Sequence, residues 1–148
     1  MRQARNIHDS GEGYALAMYC GGLAVECLLR AFRWDKDKSF EGRHDLMDLM
    51  RASALLQFNE EQMRRKGVSE VEIFDCALGL RAAMNEVVGL WHNNLRFASE
   101  VSLRVFLNRI DRLQGIKGNA LKKNAADLLN AAQMVVDRGV ALWTLRKK

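Results

Sequence analysis

The chain has 148 residues, enough for one domain around one hydrophobic core. Hydrophobic residues make up 49% and charged residues 28%, which excludes a disordered chain, and the absence of proline favours long helices joined by short turns. Basic residues outnumber acidic ones, 23 to 18, giving a net charge of +5 that suits an anionic partner such as RNA, a nucleotide or an acidic protein, although no long basic run exists.

The first residues, through His8, hold no apolar run of the secretory kind. A first helix is predicted from about Ser10–Tyr14 to Trp34, with an earlier start allowed because Gly11 and Gly13 read as weak breakers. Its stretch Tyr14 to Val25 is uncharged, yet shorter than the roughly 20 apolar residues that span a bilayer. Glu26 and Arg30 follow at once, so it reads as a core helix of a cytoplasmic protein, apolar on every side because other helices surround it. Gly21 and Gly22 cost helix propensity, and close approach of a neighbouring helix is the expected compensation.

Residues 35–42 read as a polar loop, and Asp45 as the N-cap of a second helix carrying Leu46, Leu49 and Met50 on one face. Gln57 to Gly67 reads as a short exposed helix or an ordered loop. Ser69 with Glu72 forms a capping box for a helix to about Asn93, whose apolar positions from Ile73 to Trp91 recur at spacings of three and four. Ser99 is expected to cap a helix to about Leu113, and Gly115 and Gly118 mark a turn. A last helix over about 120–145 carries a heptad seam from Leu121 to Leu142, closed by Lys147 and Lys148. No strand pattern, repeat or domain boundary is visible. The expected architecture is all-α: a single domain built as an antiparallel four-helix bundle with one or two short additional helices.

The three cysteines, Cys20, Cys27 and Cys76, are odd in number and lack a CxxC pair, so neither a disulfide framework nor a zinc site is expected, and they read as reduced, buried small hydrophobes. No cofactor and no metal are expected.

Val25-Glu26-Cys27-Leu28-Leu29-Arg30-Ala31, at the end of a glycine-interrupted helix, resembles the first conserved helix of HEPN domains (higher eukaryote and prokaryote nucleotide-binding). Gly42-Arg43-His44-Asp45-Leu46 is similar to the Gly-His-Asp-Leu that opens their second helix, with one residue inserted, and Trp91 to Phe97 resembles their tryptophan-to-arginine element. The resemblance runs in order across residues 12 to 145. It implies an antiparallel helical bundle, frequently a homodimer. Active members are metal-independent ribonucleases with an arginine followed, after four to six residues, by a histidine. Inactive members partner minimal nucleotidyltransferases, often as toxin–antitoxin pairs.

The ribonuclease spacing is absent here. No arginine stands at Asp37 to Ser39 before His44 or at Asn85 to Val87 before His92, and no histidine stands at Val101 to Leu103 after Arg96. Metal-free RNA cleavage needs a group that titrates near neutrality to move the 2′-hydroxyl proton, a task for histidine rather than arginine. The sequence therefore favours a non-catalytic binding or interaction module, cytoplasmic and dimeric, whose partner is a nucleotidyltransferase, a nucleotide or RNA. The enzyme alternative is a divergent ribonuclease using Arg96 with His92 or His44; a third reading is a purely structural helical dimer. Candidate residues for a binding or degenerate site are Glu26, Arg30, His44, Asp45, His92 and Arg96. Glu26, a carboxylate in a buried helix, is expected to pair either with Arg30 one turn on or with Arg96 across helices. Asp45 has a plain role as a helix cap, and Trp91 and Trp143 read as core.

Overall fold

Gly11 and Gly13 stop the chain's first helix rather than merely weakening it. Both take positive φ (83° and 72°), a region that L side chains rarely adopt, so α1 (Arg2–Asp9) is separate from α2 (Tyr14–Trp34). The earlier start allowed for the long helix is thereby corrected. A computed structural model describes residues 1–34 and 45–146, and among these every regular element is helical, so the protein is all-α.

Side-chain caps fix the next helices where the sequence placed them. Asp45 accepts from the backbone N–H of Met47 and Asp48 to open α3 (Leu46–Ser53). Ala54, at φ 53°, turns the chain directly into α4 (Leu55–Arg65), which buries Leu55 and Asn59 and so settles residues 57–65 as a packed helix. The Ser69–Glu72 capping box starts α5 (Glu70–Leu90). That helix stops at Leu90, earlier than its apolar periodicity suggests, because Trp91 turns extended and its side chain plugs into α2. A 3-10 turn, Asn93–Phe97, then leads to α6 (Glu100–Arg109), capped by Ser99. α6 also stops short of Leu113: Asp111 is left-handed at φ 56°, and Arg112 N–H closes the end on Leu107 O at 2.9 Å. α7 (Ala120–Arg146) completes the fold; Lys147 and Lys148 lie outside the described residues.

α2 lies at the centre. Gly21 packs against Leu128 and Leu129, and Gly139 against Leu28, so residue numbers rise together along α2 and α7. α5 runs against α7. Buried Asn59 joins them at one level, donating to Cys76 Sγ and accepting from Arg138; lower down, Arg112 donates both to Glu86 and to Asn124. α1 is tied to α7 by Arg5 to Asn130 at 2.8 Å and by His8 against the Lys122 carbonyl. By length and composition α2 is apolar enough to cross a membrane, and half of its most apolar stretch is buried inside the protein.

All three cysteines are free, but Cys27 is exposed and Cys20 and Cys76 half-buried, which corrects the expectation of buried thiols. Helical phase explains it: Cys27 points away from the face that buries Val25, Glu26 and Leu29.

Candidate functional site

The carboxylate of Glu26 is 2% exposed, and its Oε1 accepts from Arg30 Nε at 2.7 Å. This is the intrahelical pair, in the favourable acid-to-base order along the helix. Among the described residues no hydrogen bond or ion pair joins Glu26 to Arg96. Asp45 caps α3 through its Oδ1, and His44 lies outside the described residues. The basic clusters are largely neutralised where they stand: Arg64 binds Glu70, Arg65 binds Glu61, and Lys123 binds Asp127. Arg146 lies beside the Phe32 and Phe58 rings instead of joining a cationic face.

The remaining candidates, His92 and Arg96, flank the link between α5 and α6. Two buried anchors hold that link. The Trp91 indole presses on the bare backbone of Gly22 and donates its N–H to the Tyr19 carbonyl at 3.1 Å, and Leu95 is 1% exposed. With Trp91 and Leu95 turned inward, the residues between and after them turn outward. His92 stands edge-on to Phe106, with ring centroids 4.5 Å apart. Arg96 turns onto Phe97, its guanidinium 4.5 Å from the ring centroid. Phe97 is nevertheless 77% exposed, an unusual position for a phenyl ring that no packing requires.

His92, Asn94, Phe97 and Ser102 line a cleft of about 230 Å³ whose floor includes Leu103 and Phe106. Burial lowers the His92 pKa below its ordinary value, and the positive charge of Arg109 pushes it the same way, so the imidazole is neutral at pH 7. Arg96 reaches the cleft through Phe97, and Arg109 through its field at His92. Neither is in an ion pair among the described residues, nor is exposed Arg104 on the intervening helix. Arg96 and Arg109 thus leave unneutralised positive charge near this cleft. No group of three or more histidine, cysteine or carboxylate side chains that could hold a metal ion occurs among the described residues.

Chemically the cleft offers an aromatic face, guanidinium groups, a neutral imidazole and an amide. That set can stack a base and hold a phosphate. His92 and Arg96 share no hydrogen bond, and the ring of His92 packs on Phe106 rather than on a cation. The sequence pointed to His92 and Arg96 but not to the roles of Phe97, Phe106 and Arg109. One signal was present: Phe97 fits the apolar stripe of neither flanking helix. No family model, no curated protein and no solved structure matches this chain.

Proposed function

We propose that this chain is a HEPN-like helical module that binds single-stranded RNA or a nucleotide in the cleft between α6 and the link that precedes it, without cleaving it. The exposed ring of Phe97, with Arg96 beside it at the mouth of that cleft, carries the reading. Stacking on an aromatic face tolerates any base, and unpaired guanidinium groups attract phosphate without reading sequence. The resemblance of Val25 to Ala31, Gly42 to Leu46 and Trp91 to Phe97 to the HEPN pattern supports the same reading. With it come a four-helix core, in which α2 and α7 run parallel, a cytoplasmic setting, and either a second copy or a minimal nucleotidyltransferase as protein partner.

Anisotropy of labelled oligoribonucleotides tests it. Binding is expected to weaken steadily as salt rises. Phe97→Ala is expected to weaken it by about 5- to 100-fold, the value of one stacked base. No salt-sensitive binding, or binding indifferent to both Phe97→Ala and Arg96→Ala, overturns the proposal.

One observation favours the enzymatic alternative: His92 is held in the neutral form that a general base requires. In that reading His92 takes the 2′-hydroxyl proton and Arg96 steadies the charged phosphorane. Incubation of labelled RNA in EDTA decides between the two. Cleavage abolished by both His92→Ala and Arg96→Ala replaces the binding reading with the ribonuclease one.

A further inference from the structure

Ser102 and Phe106 form the α6 side of the cleft, and Arg109 follows them seven and three residues on, so the three share one face of that helix. Phe106 carries the His92 ring, and the Arg109 charge is near enough to act on that imidazole. Phe97 stands just before the N-terminus of α6, whereas Arg109 is the last residue of the helix. From Ser102 to Arg109 alone the helix rises about 10 Å. The cations of the site are thus held apart: Arg96 lies beside the Phe97 ring, and exposed Arg109 stands at the far end. No carboxylate stands on that face of α6 between the two ends. Arg104 is exposed as well, but it is two residues from both Ser102 and Phe106 and so turns to the other side of the helix.

We infer that the ligand of this cleft is a single strand of RNA at least two or three nucleotides long, laid along α6 with one base on Phe97 and a neighbouring phosphate at Arg109, and not a lone nucleotide. The inference rests on the binding reading above and narrows its ligand. A strand in a duplex sets a phosphate about every 3.4 Å along the axis, and an unpaired strand stretches farther. A span of about 10 Å therefore takes two or three nucleotides. A nucleoside monophosphate carries its phosphate on the sugar of the stacked base, within reach of Arg96 alone. A triphosphate is longer but gathers its charge in one place, which suits a cradle of backbone N–H groups or clustered cations. Here the cations stand most of a helix length apart, as the charges of a strand do. Stacking at one end and a phosphate contact at the other fix the strand without reading its sequence.

Competition against a labelled oligoribonucleotide, with AMP, ATP, a dinucleotide and a tetranucleotide as competitors, tests the inference on the full chain. The tetranucleotide is expected to compete at least about tenfold better than AMP or ATP, the value of one added charged hydrogen bond. Arg109→Ala is expected to remove that advantage, to leave AMP unchanged, and to reduce the salt slope of tetranucleotide binding by about 0.7, one phosphate's share in a single strand. Arg104→Ala removes the same charge from the other side of α6 and is expected to change tetranucleotide binding by less than about twofold, as for a charge remote from the strand. Circular dichroism checks that both variants keep the fold. AMP or ATP competing as well as the tetranucleotide overturns the inference, and so does an equal loss in Arg104→Ala and Arg109→Ala. If AMP binding is then still lost in Phe97→Ala, the cleft keeps its binding role and only the strand is wrong. Failure of every competitor and of the labelled strand to bind overturns the binding reading itself, and this inference with it.

Discussion

Gly22 and Trp91 share the space of one side chain: a Cβ built on Gly22 would lie 2.0 Å from the indole Cδ1. The same edge of the indole donates its N–H to the Tyr19 carbonyl one turn earlier on α2, so moving away from a Cβ at Gly22 would break that hydrogen bond. That contact ends α5 at Leu90 and positions the link on which His92, Arg96 and Phe97 stand.

Gly22→Ala therefore forces a rigid ring out of place, and overpacking of this kind costs about 1–3 kcal/mol, more than the helix propensity gained by alanine. Gly139→Ala meets only the flexible end of Leu28 and is expected to cost less. Gly79→Ala and Gly89→Ala meet nothing within 4 Å and are expected to stabilise, by about 0.5–1 kcal/mol each. Thermal melts of the four variants give the order. A Gly22→Ala protein as stable as the wild type would mean that Trp91 does not seat on α2.

The Glu26–Arg30 pair separates two readings of the buried acid. Glu26→Ala removes the acceptor that Arg30 holds at 2.7 Å; with Arg30 one-third exposed, the expected loss is about 3 kcal/mol, the low end for a broken buried pair. Arg96→Ala touches only a cation–π contact and is expected to change stability by less than about 1 kcal/mol. Denaturant unfolding of both variants and the double variant checks this. A large loss in Arg96→Ala, non-additive with Glu26→Ala, would show a cross-helix pair after all.

His92 makes stability depend on pH in a fixed direction. Burial, then the charge of Arg109, depresses its pKa in the folded state, so the folded protein takes up the proton less readily than the unfolded chain. Its contribution is complete above the ordinary histidine value of about 6.5 and is lost as the pH falls below that value towards the depressed one. Stability is expected to decline over that acid interval, and His92→Gln to flatten the decline. An unchanged pH profile in His92→Gln would assign the decline to other groups.

Asn124, 1% exposed, clamps the turn before α7: its amide donates to the Arg112 and Ala120 carbonyls at 2.8 and 2.9 Å, and its oxygen accepts from Arg112 Nε. Asn124→Ala strands these groups and is expected to cost about 1–3 kcal/mol. Hydrogen exchange should show the loosening around residues 110–120. Protection unchanged there would argue that the turn is held by its own backbone.

Local chemistry made much of the fold legible in the sequence. Asp45, Ser69 and Ser99 cap helices where their spacing says they must, since a side-chain oxygen reaches only the N–H groups two or three residues ahead. The apolar periodicity read from Ile73 to Trp91 predicts the buried face of α5 at Ile73, Ala77, Leu80, Met84 and Val87, and Gly21 and Gly22 announce close helix contact. Helix ends were harder to read. Leu90 ends α5 because Trp91 finds a seat on α2, a partner about seventy residues away that no local window contains.

The sequence by itself determined the long helices, the caps of α3, α5 and α6, and the absence of the ribonuclease spacing, because each depends on residues within a few positions of one another. The tertiary structure alone decided that Glu26 takes Arg30 rather than Arg96, that Phe97 faces solvent beside a cleft, and that Val71, Phe74 and Leu78 are left uncovered. Pairing and exposure depend on which surfaces meet, and that is fixed only when the whole chain has packed.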